Sequence, residues 1–148
     1  MRRTRFDDSY CPIARVTDLF GDWWTPIVLR DAMFGATRFE HFQEKMGMSR
    51  SVLAQRLARL VDEGLFEKVP YQERPLRHEY LLTDKGRAAC DVLVVMWRFG
   101  EDHMWPKGEA PSVELSFHDT GDPIRAVVVD ETSGRPIEIN SVRFRQRR

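Results

Sequence analysis

The chain has 148 residues, a length that suits one domain with at most a small appendage. Charged residues make up 31% of it, and 23 Lys and Arg balance 23 Asp and Glu, so the formal net charge is zero. This balance excludes an overall attraction to nucleic acid, and any such binding requires a local charge asymmetry. No segment is apolar over the length of a membrane span and no apolar signal core follows the start, so we expect an unprocessed cytoplasmic protein without a membrane partner.

Neither the cysteines nor the histidines indicate a metal site. Cys11 and Cys90 are too few for a disulfide framework or a Cys-rich zinc site, and the His residues show no ligand spacing with acids or cysteines. The chain also lacks a nucleophile elbow, a phosphate loop and the HExxH pattern of zinc hydrolases. We therefore predict no metal, no other cofactor and no enzymatic activity.

Two helices are predicted before residue 35. Residues 1–10 are polar and are expected to form a disordered arm. Pro12 begins the first helix, because a proline in the first turn leaves no intrahelical hydrogen bond unmade, and Gly21 ends it. A second helix is expected from about Trp23 to Phe34.

The next two helices have clear boundary signals. Thr37 and Glu40 form a capping-box pattern that begins the third helix, and Gly47 ends it. Ser49 is a favourable N-cap for the fourth helix, which is expected to continue to about Glu63. Two short helices joined by a tight glycine-containing turn are typical of a helix-turn-helix, whose second helix enters the major groove of DNA.

The fourth helix has an apolar side and a polar, basic side. Leu53, Leu57 and Leu60 are expected to face the core, and every charged residue from position 45 to 61 is basic. An arginine can bond to guanine and a glutamine to adenine, each good pair giving roughly 1–3 kcal/mol of discrimination. The residues predicted to contact DNA from the open side are Ser51, Gln55 and Arg59, with Arg50 and Ala54 flanking them and Ser49 at the helix start.

Two further arginines have two interpretations each. Arg56 lies nearer the core edge, which suits a phosphate contact or a structural salt bridge better than a base contact. Arg38, in the expected first turn of the third helix, either contacts a phosphate, where helix-end N–H groups also favour anions, or forms a local ion pair.

A strand hairpin follows the helix-turn-helix. Residues 65–69 and 78–82 have the pattern of strands, and residues 70–77 between them form a loop with prolines and basic side chains. This hairpin is typical of the wing of a winged helix. Arg74 and Arg77 are predicted to contact the DNA backbone or minor groove, while Glu73 lowers the local positive charge.

A fifth helix is predicted from residue 83 to about Trp105. Its apolar residues extend too far around the helix for one packing face, so we expect a second copy of the chain to cover it in a homodimer.

Residues 107–148 are expected to form a small strand-and-turn extension. Two copies of a turn, at 119–124 and 131–137, lie next to β-rich runs at 113–117, 126–129 and 137–139. The extension either adds to the dimer surface or brings its basic end, residues 143–148, to flanking phosphates; such an end is also often only solvated.

The chain resembles the HxlR-type family of bacterial regulators, relatives in fold of the MarR group. The resemblance covers about residues 10–104 and rests on the order and spacing of many separate motifs. These are Cys11-Pro12, Trp24-Thr25, Leu29-Arg30, Gly35, Arg38-Phe39, residues 52–57, Leu60, Gly64-Leu65, Pro75, residues 78–83 and Gly86-Arg87. The resemblance implies a winged helix-turn-helix domain over residues 11–106, whose first and last helices dimerise and which acts on palindromic operator DNA.

Some members of that family sense oxidants or electrophiles through a cysteine near the N-terminus. Cys11 therefore has two interpretations, a redox sensor whose thiolate the helix end stabilises, or a small apolar residue at the dimer interface. A small-molecule effector is a further expected partner. The aromatic residues that could bind it, or simply form core, are Trp23, Trp24, Trp97, Trp105, Phe20 and Phe99. The C-terminal extension also resembles one found on longer members, which in some of them carries paired cysteines like a zinc ribbon. Both turns of this extension lack cysteine, so a metal site is not expected here.

The predicted fold is α+β and mainly α, a winged helix-turn-helix with dimerising terminal helices and a small C-terminal β-rich appendage. The predicted function is sequence-specific regulation of transcription, as a homodimeric repressor of palindromic operators in double-stranded DNA, responsive to a small molecule or to thiol-reactive stress. The alternative is a winged-helix protein–protein interaction module without DNA binding, which the neutral total charge favours.

Overall fold

The computed structural model describes residue 6, residues 8–143 and residue 145. The chain divides into two compact units, Met1–Leu93 and Val94–Arg148, which are described separately. Most of the predicted disordered arm, and residues 144 and 146–148 of the basic C-terminal segment, lie outside the described residues. Within the described part of the chain, none of the helices has both the length and the apolar character that crossing a bilayer needs.

The described residues form five α-helices in the predicted order: α1 (Pro12–Phe20), α2 (Trp24–Met33), α3 (Phe39–Met46), α4 (Arg50–Asp62) and α5 (Asp84–His103). Pro12 occupies the first turn of α1, as expected. Gly47 ends α3 with a φ of 60°, a left-handed conformation that a residue with a Cβ adopts only with strain. The turn between α3 and α4 is short because this glycine reverses the backbone within one residue.

The capping of α4 is confirmed and that of α3 is corrected. Ser49 Oγ accepts a hydrogen bond from Val52 N at 3.4 Å, as an N-cap does. The predicted capping box is wrong: Arg38 is the N-cap of α3, and its side chain makes no capping bond. Thr37 lies outside the helix, and its hydroxyl donates to Glu79 Oε1 at 3.3 Å. Thr37 therefore pairs with the distant carboxylate of Glu79 instead of forming the predicted capping box with Glu40.

The hairpin is longer than predicted. Strands β1 (Phe66–Glu73) and β2 (Leu76–Leu82) pair antiparallel from Phe66 opposite Leu82 to Glu73 opposite Leu76. Most of the predicted loop at 70–77 is thus strand, and the turn consists of Arg74 and Pro75, joined by a cis peptide bond. The register shifts between Pro70 and Gln72, because a proline without an N–H cannot donate to the ladder.

One apolar core joins α2, α3, α4 and the hairpin. Phe42 of α3 and Phe66 of β1 meet edge to face, with ring centroids 6.2 Å apart. Because three residues of α4 are buried in this core, the opposite side of α4 is turned outward. The fully buried large side chains are Phe42, Phe66, Leu29, Leu53, Leu57, Leu60, Leu65 and Val28.

The extension in the second unit contains turns but little strand. Single bridges join Ser116 to Pro123 and Val129 to Pro136, and a short 3-10 helix follows at Ile139–Ser141. The runs predicted as strands at 113–117, 126–129 and 137–139 therefore form no ladder among the described residues, since each turn brings only one residue pair into register. Arg125 binds Asp102 of α5 at 2.9 Å, which connects the extension to the helix it follows.

Candidate nucleic-acid interface

The outward side of α4 is the centre of the candidate interface. Ser51, Ala54, Gln55 and Ala58 are exposed along it, whereas the leucines at 53, 57 and 60 are buried. Ser51 and Gln55 are exposed, as predicted for the open side, and Ala54, predicted to flank them, is exposed as well. From Arg50 to position 61 the helix contains no acid, so this side offers polar groups and no carboxylate that would repel phosphate.

Arg50 lies at the N-terminal end of α4, and its side chain packs against α3. Its guanidinium lies 4.8 Å from the ring centroid of Phe39, and its Nη1 donates to Gln43 Oε1 at 3.1 Å. Ser49 and Ser51 are joined through their hydroxyls at 3.2 Å. The start of α4 thus presents two hydroxyls and a cation whose orientation the preceding helix holds.

The prediction that Arg59 lies on the open side is wrong. Arg59 is half-buried, its Nη1 lies 3.4 Å from Asp22 Oδ2, and its Nη2 donates to the carbonyl oxygen of Asp18 at 2.8 Å. Arg56 also contacts Asp22 Oδ2. Of its two predicted interpretations, a phosphate contact or a structural salt bridge, the structure contains the salt bridge. A helical projection of α4 could not find this, because the acid that attracts both arginines lies more than thirty residues earlier in the chain.

Arg38 forms an ion pair, which is one of its two interpretations. Its Nε donates to Glu79 Oε1 of β2 at 3.2 Å, and its guanidinium lies 4.3 Å from the ring centroid of Tyr71. The backbone reinforces this junction, since Tyr80 N donates to the Thr37 carbonyl at 2.7 Å. Arg38 remains half-exposed, so the hairpin holds its guanidinium at the surface.

The tip of the hairpin presents the two predicted wing arginines. Arg74 and Arg77 are exposed, and Gln72 Nε2 donates to the carbonyl oxygens of Arg74 and Pro75 at 3.1 and 3.2 Å. These two hydrogen bonds fix the backbone of the turn and therefore the position from which the Arg74 side chain extends.

An open groove of about 310 Å³ separates the starts of α3 and α4 from the hairpin. Its charged lining is three cations, Arg50, Lys68 and Arg77, and one acid, Glu40, with His78 beside them. Sequence reasoning missed Lys68 and His78; their positions on paired strands, near the wing arginines, were the available signal. Tyr80 also lines the groove, and burial raises the pKa of its hydroxyl, which keeps it neutral.

The two thiols lie in different surroundings. Cys11 is exposed at the N-cap of α1, and Arg15, one turn further along, donates from Nε to the Ser9 carbonyl at 2.6 Å. Cys90 is buried in α5, where burial and the neighbouring Asp91 raise the pKa of its thiol. Of the aromatic residues, Trp24 packs against the core, whereas Trp23 and Trp105 are exposed.

The architecture and the exposed helix agree with comparisons to known proteins. The sequence model of the HxlR-like helix-turn-helix family matches residues 19–108. An HTH-type transcriptional regulator of Mycobacterium tuberculosis is 39% identical over 110 residues, which are 74% of this chain and 69% of that protein. The crystal structure of PA1607, a candidate transcription factor, superposes with a TM-score of 0.87 at 37% identity, covering 97% of this chain and 100% of that one. The redox regulator HypR, in its reduced form, superposes with a TM-score of 0.60 at 25% identity, covering 64% of this chain and 94% of its own.

These findings define a transcription regulator of the winged helix-turn-helix class. The chain belongs to the HxlR-like helix-turn-helix family.

Proposed function

We propose that the protein is a repressor that binds palindromic duplex DNA as a homodimer. The observation that carries this proposal is the outward side of α4, which is polar, free of acids up to position 61 and adjacent to a groove with three cations. A helix of this kind fits the major groove, where Gln55 and Ser51 would meet base edges. Arg56 and Arg59 are left out of the base contacts, because Asp22 holds them at the side of the helix.

The phosphate contacts in this proposal come from residues around α4. Arg38, Arg50, Arg74 and Arg77 all lie at or near the exposed surface between α3 and the hairpin tip. Such contacts fix the orientation of a protein on DNA without selecting a sequence. In this proposal α4 recognises the bases, and the flanking arginines bind the phosphate backbone of the DNA.

The homodimer is supported by two helices with apolar side chains turned outward. None of the residues of α1 is buried, although Ile13 and Val16 lie on it. On α5, Val92, Val95 and Phe99 are exposed as well. A second copy would cover these side chains and place two α4 helices about one DNA turn apart, roughly 34 Å, so that they recognise an inverted repeat.

Selection of bound sequences from a random duplex pool tests this function. We expect an enriched palindrome, which the full chain then binds in fluorescence-anisotropy titrations with an affinity that falls steeply as salt increases. Placing the palindrome across a promoter should lower transcription when the protein is added. Absence of binding to any duplex at low salt would refute the proposal and favour a protein–protein interaction module.

We infer that Cys11 makes the regulator responsive to thiol-reactive compounds. Its exposure at the start of α1 supports this, since a thiol-reactive compound can reach the sulfur directly. The similarity to the redox regulator HypR supports it further. Induction would then be a shift between two dimer geometries, only one of which matches the operator spacing.

Diamide treatment of the wild type and two variants tests the thiol. We expect diamide to weaken operator binding by the wild type and by Cys90→Ser, but not by Cys11→Ser. Cys90→Ser is the matched control, because the raised pKa of that buried thiol leaves little thiolate at neutral pH. Equal responses of Cys11→Ser and the wild type would remove Cys11 from the mechanism.

A further inference from the structure

Asp22 lies at the junction of α1 and α2 and binds the side of α4, the recognition helix of the proposed function. Its carboxylate is almost fully buried, with 5% of the side chain exposed. Oδ1 accepts a hydrogen bond from Trp24 N at 3.1 Å, which orients the carboxylate at the start of α2. Oδ2 is contacted by Arg56 and, at 3.4 Å, by Arg59. One carboxylate thus binds two arginines of α4.

The same cluster connects α4 to α1. Arg59 uses one terminal nitrogen for Asp22 and the other for the carbonyl oxygen of Asp18, which belongs to α1. Leu19 and Phe20, in the C-terminal half of α1, are partly buried against the core, and the bonds of Arg59 add a direct polar connection from this end of α1 to α4. The orientation of α4 is therefore set by the core on one side and by Asp22 on the other.

The Asp22 ion pairs also change which charges α4 offers to DNA. Within Arg50 to position 61 the helix has three cations, and two of them face Asp22. Both arginines keep about a third of their side chain exposed, so each could turn toward a phosphate if the carboxylate did not hold it. Every cation that reaches a phosphate adds sequence-independent affinity and increases the salt dependence of binding.

We propose that Asp22 is a specificity-determining positioning residue. It fixes α4 against the α1–α2 junction, and it keeps Arg56 and Arg59 from adding sequence-independent attraction to DNA phosphates. The inference rests on the proposed function, since it assumes that α4 recognises DNA. It adds a residue outside the predicted interface that determines how well the regulator distinguishes its operator from other DNA.

The variant Asp22→Asn tests the proposal, because the amide keeps an oxygen for Trp24 N and replaces the charged oxygen that binds the arginines with a neutral NH2 donor. The full chain is titrated with the duplex enriched by selection and with a scrambled duplex of the same composition, each over a series of salt concentrations. We expect the scrambled duplex to bind several-fold more tightly and the slope of log K against log salt to steepen by about 1–2, roughly 0.9 for each arginine that reaches a phosphate. The ratio of enriched to scrambled affinity should fall about tenfold, because α4 is no longer fixed against the α1–α2 junction and loses about the discrimination that one good base pairing provides.

Asp31→Asn is the matched control for removing a buried carboxylate. Asp31 is buried within α2, but its bonded arginine is its neighbour Arg30, and no residue of α4 binds it among the described residues. We expect this variant to keep the wild-type slope and affinity ratio. In the Asp22→Asn background, adding Arg56→Gln and Arg59→Gln should return the slope toward the wild-type value, because the freed cations are then absent.

Asp22→Ser also keeps an oxygen that can accept from Trp24 N, and it replaces Asp22→Asn if that variant folds poorly. It must likewise steepen the salt slope and lower the ratio of enriched to scrambled affinity. A parallel loss of affinity for both duplexes with an unchanged slope would overturn the proposal, since a folding defect gives that result. A shallower slope would also overturn it, because Asp22 would then present the arginines to phosphates. If the wild type binds no duplex, the proposed function fails and the role of Asp22 fails with it; wild-type binding with an unaltered variant ratio defeats only the role of Asp22.

Discussion

Two alanines, Ala54 and Ala58, lie next to Ser51 and Gln55 on the exposed side of α4. Small side chains allow the backbone of a helix to approach the floor of the major groove. Of the four residues, Gln55 has the longest polar group, and its amide can bond to an adenine through both a donor and an acceptor. If α4 binds DNA as proposed, we therefore expect base recognition to depend mainly on Gln55.

Replacing Gln55 with alanine should relax recognition at a single base pair of each half-site. We expect a loss of about 1–3 kcal/mol in operator affinity, with an unchanged salt slope because the phosphate contacts are untouched. Binding to a set of single-base operator variants measures both quantities. A change in slope, or an equal loss for every operator variant, would assign Gln55 to the DNA backbone instead.

The wing arginines should show the opposite behaviour. Arg74→Ala and Arg77→Ala are expected to weaken binding to every duplex alike and to flatten the salt dependence by roughly 0.9 for each phosphate that the variant no longer neutralises. Glu73→Gln, on the same hairpin, removes a negative charge and is expected to shift affinity the other way. The measurement is the same titration with enriched and scrambled duplexes; unchanged affinity and slope in both arginine variants would exclude the wing from the DNA interface.

At the scale of elements, the sequence predicts what local chemistry decides. Ser49 and Gly47 mark helix ends through bonds and dihedral angles within a few residues, so α3 and α4 are found where they were expected. Thr37 and Arg59 were misplaced because each has a carboxylate partner far away in the chain, Glu79 and Asp22. Neither partner has a sequence signal that relates it to the residue it binds. The outer side of α4 was therefore predictable, but the ion pairs that hold its flank were not.

The start of α5 is fixed to the end of α4 by close backbone packing. Thr83 Oγ1 accepts from Gly86 N at 3.0 Å and donates to the Gly64 carbonyl at 2.6 Å. A Cβ at position 86 would lie 2.1 Å from the Leu65 carbonyl oxygen, a backbone atom that no side-chain rotation can move. Only glycine allows the helix to approach this closely.

Gly86→Ala should therefore destabilise the fold. We expect a loss of about 1–3 kcal/mol in the free energy of unfolding, the usual cost of an added group in a filled space. Gly100→Ala is the control on the same helix, because a Cβ there meets nothing within 4 Å and alanine favours the helix by about 1 kcal/mol. Urea denaturation of the two variants measures the difference; equal stability would show that α5 can shift away from Leu65 at little cost.

At the scale of the whole molecule, two helices expose apolar side chains that the core of the single chain does not bury. Helix α1 has an apolar residue at position 16 with 44% of its surface exposed, and α5 has Phe99 with 58% exposed. In a symmetric dimer each such residue occurs twice in the one interface, so one substitution changes two side chains there. A fully buried valine or phenylalanine contributes roughly 1.5–3 kcal/mol, and a carboxylate in its place would also have to lose water.

Val16→Asp and Phe99→Asp are therefore expected to separate the homodimer without unfolding the protomer. Sedimentation equilibrium should give the mass of one chain for both variants and of two chains for the wild type, while circular dichroism stays unchanged. Affinity for the palindrome should fall to that for a single half-site, because two recognition helices are no longer held one DNA turn apart. Leu76→Asp, which places the same charge at the exposed hairpin tip, should remain dimeric. Variants at Val16 and Phe99 that keep the mass of two chains would mean that another surface joins the copies, and the spacing of the two α4 helices would then have to follow from that surface.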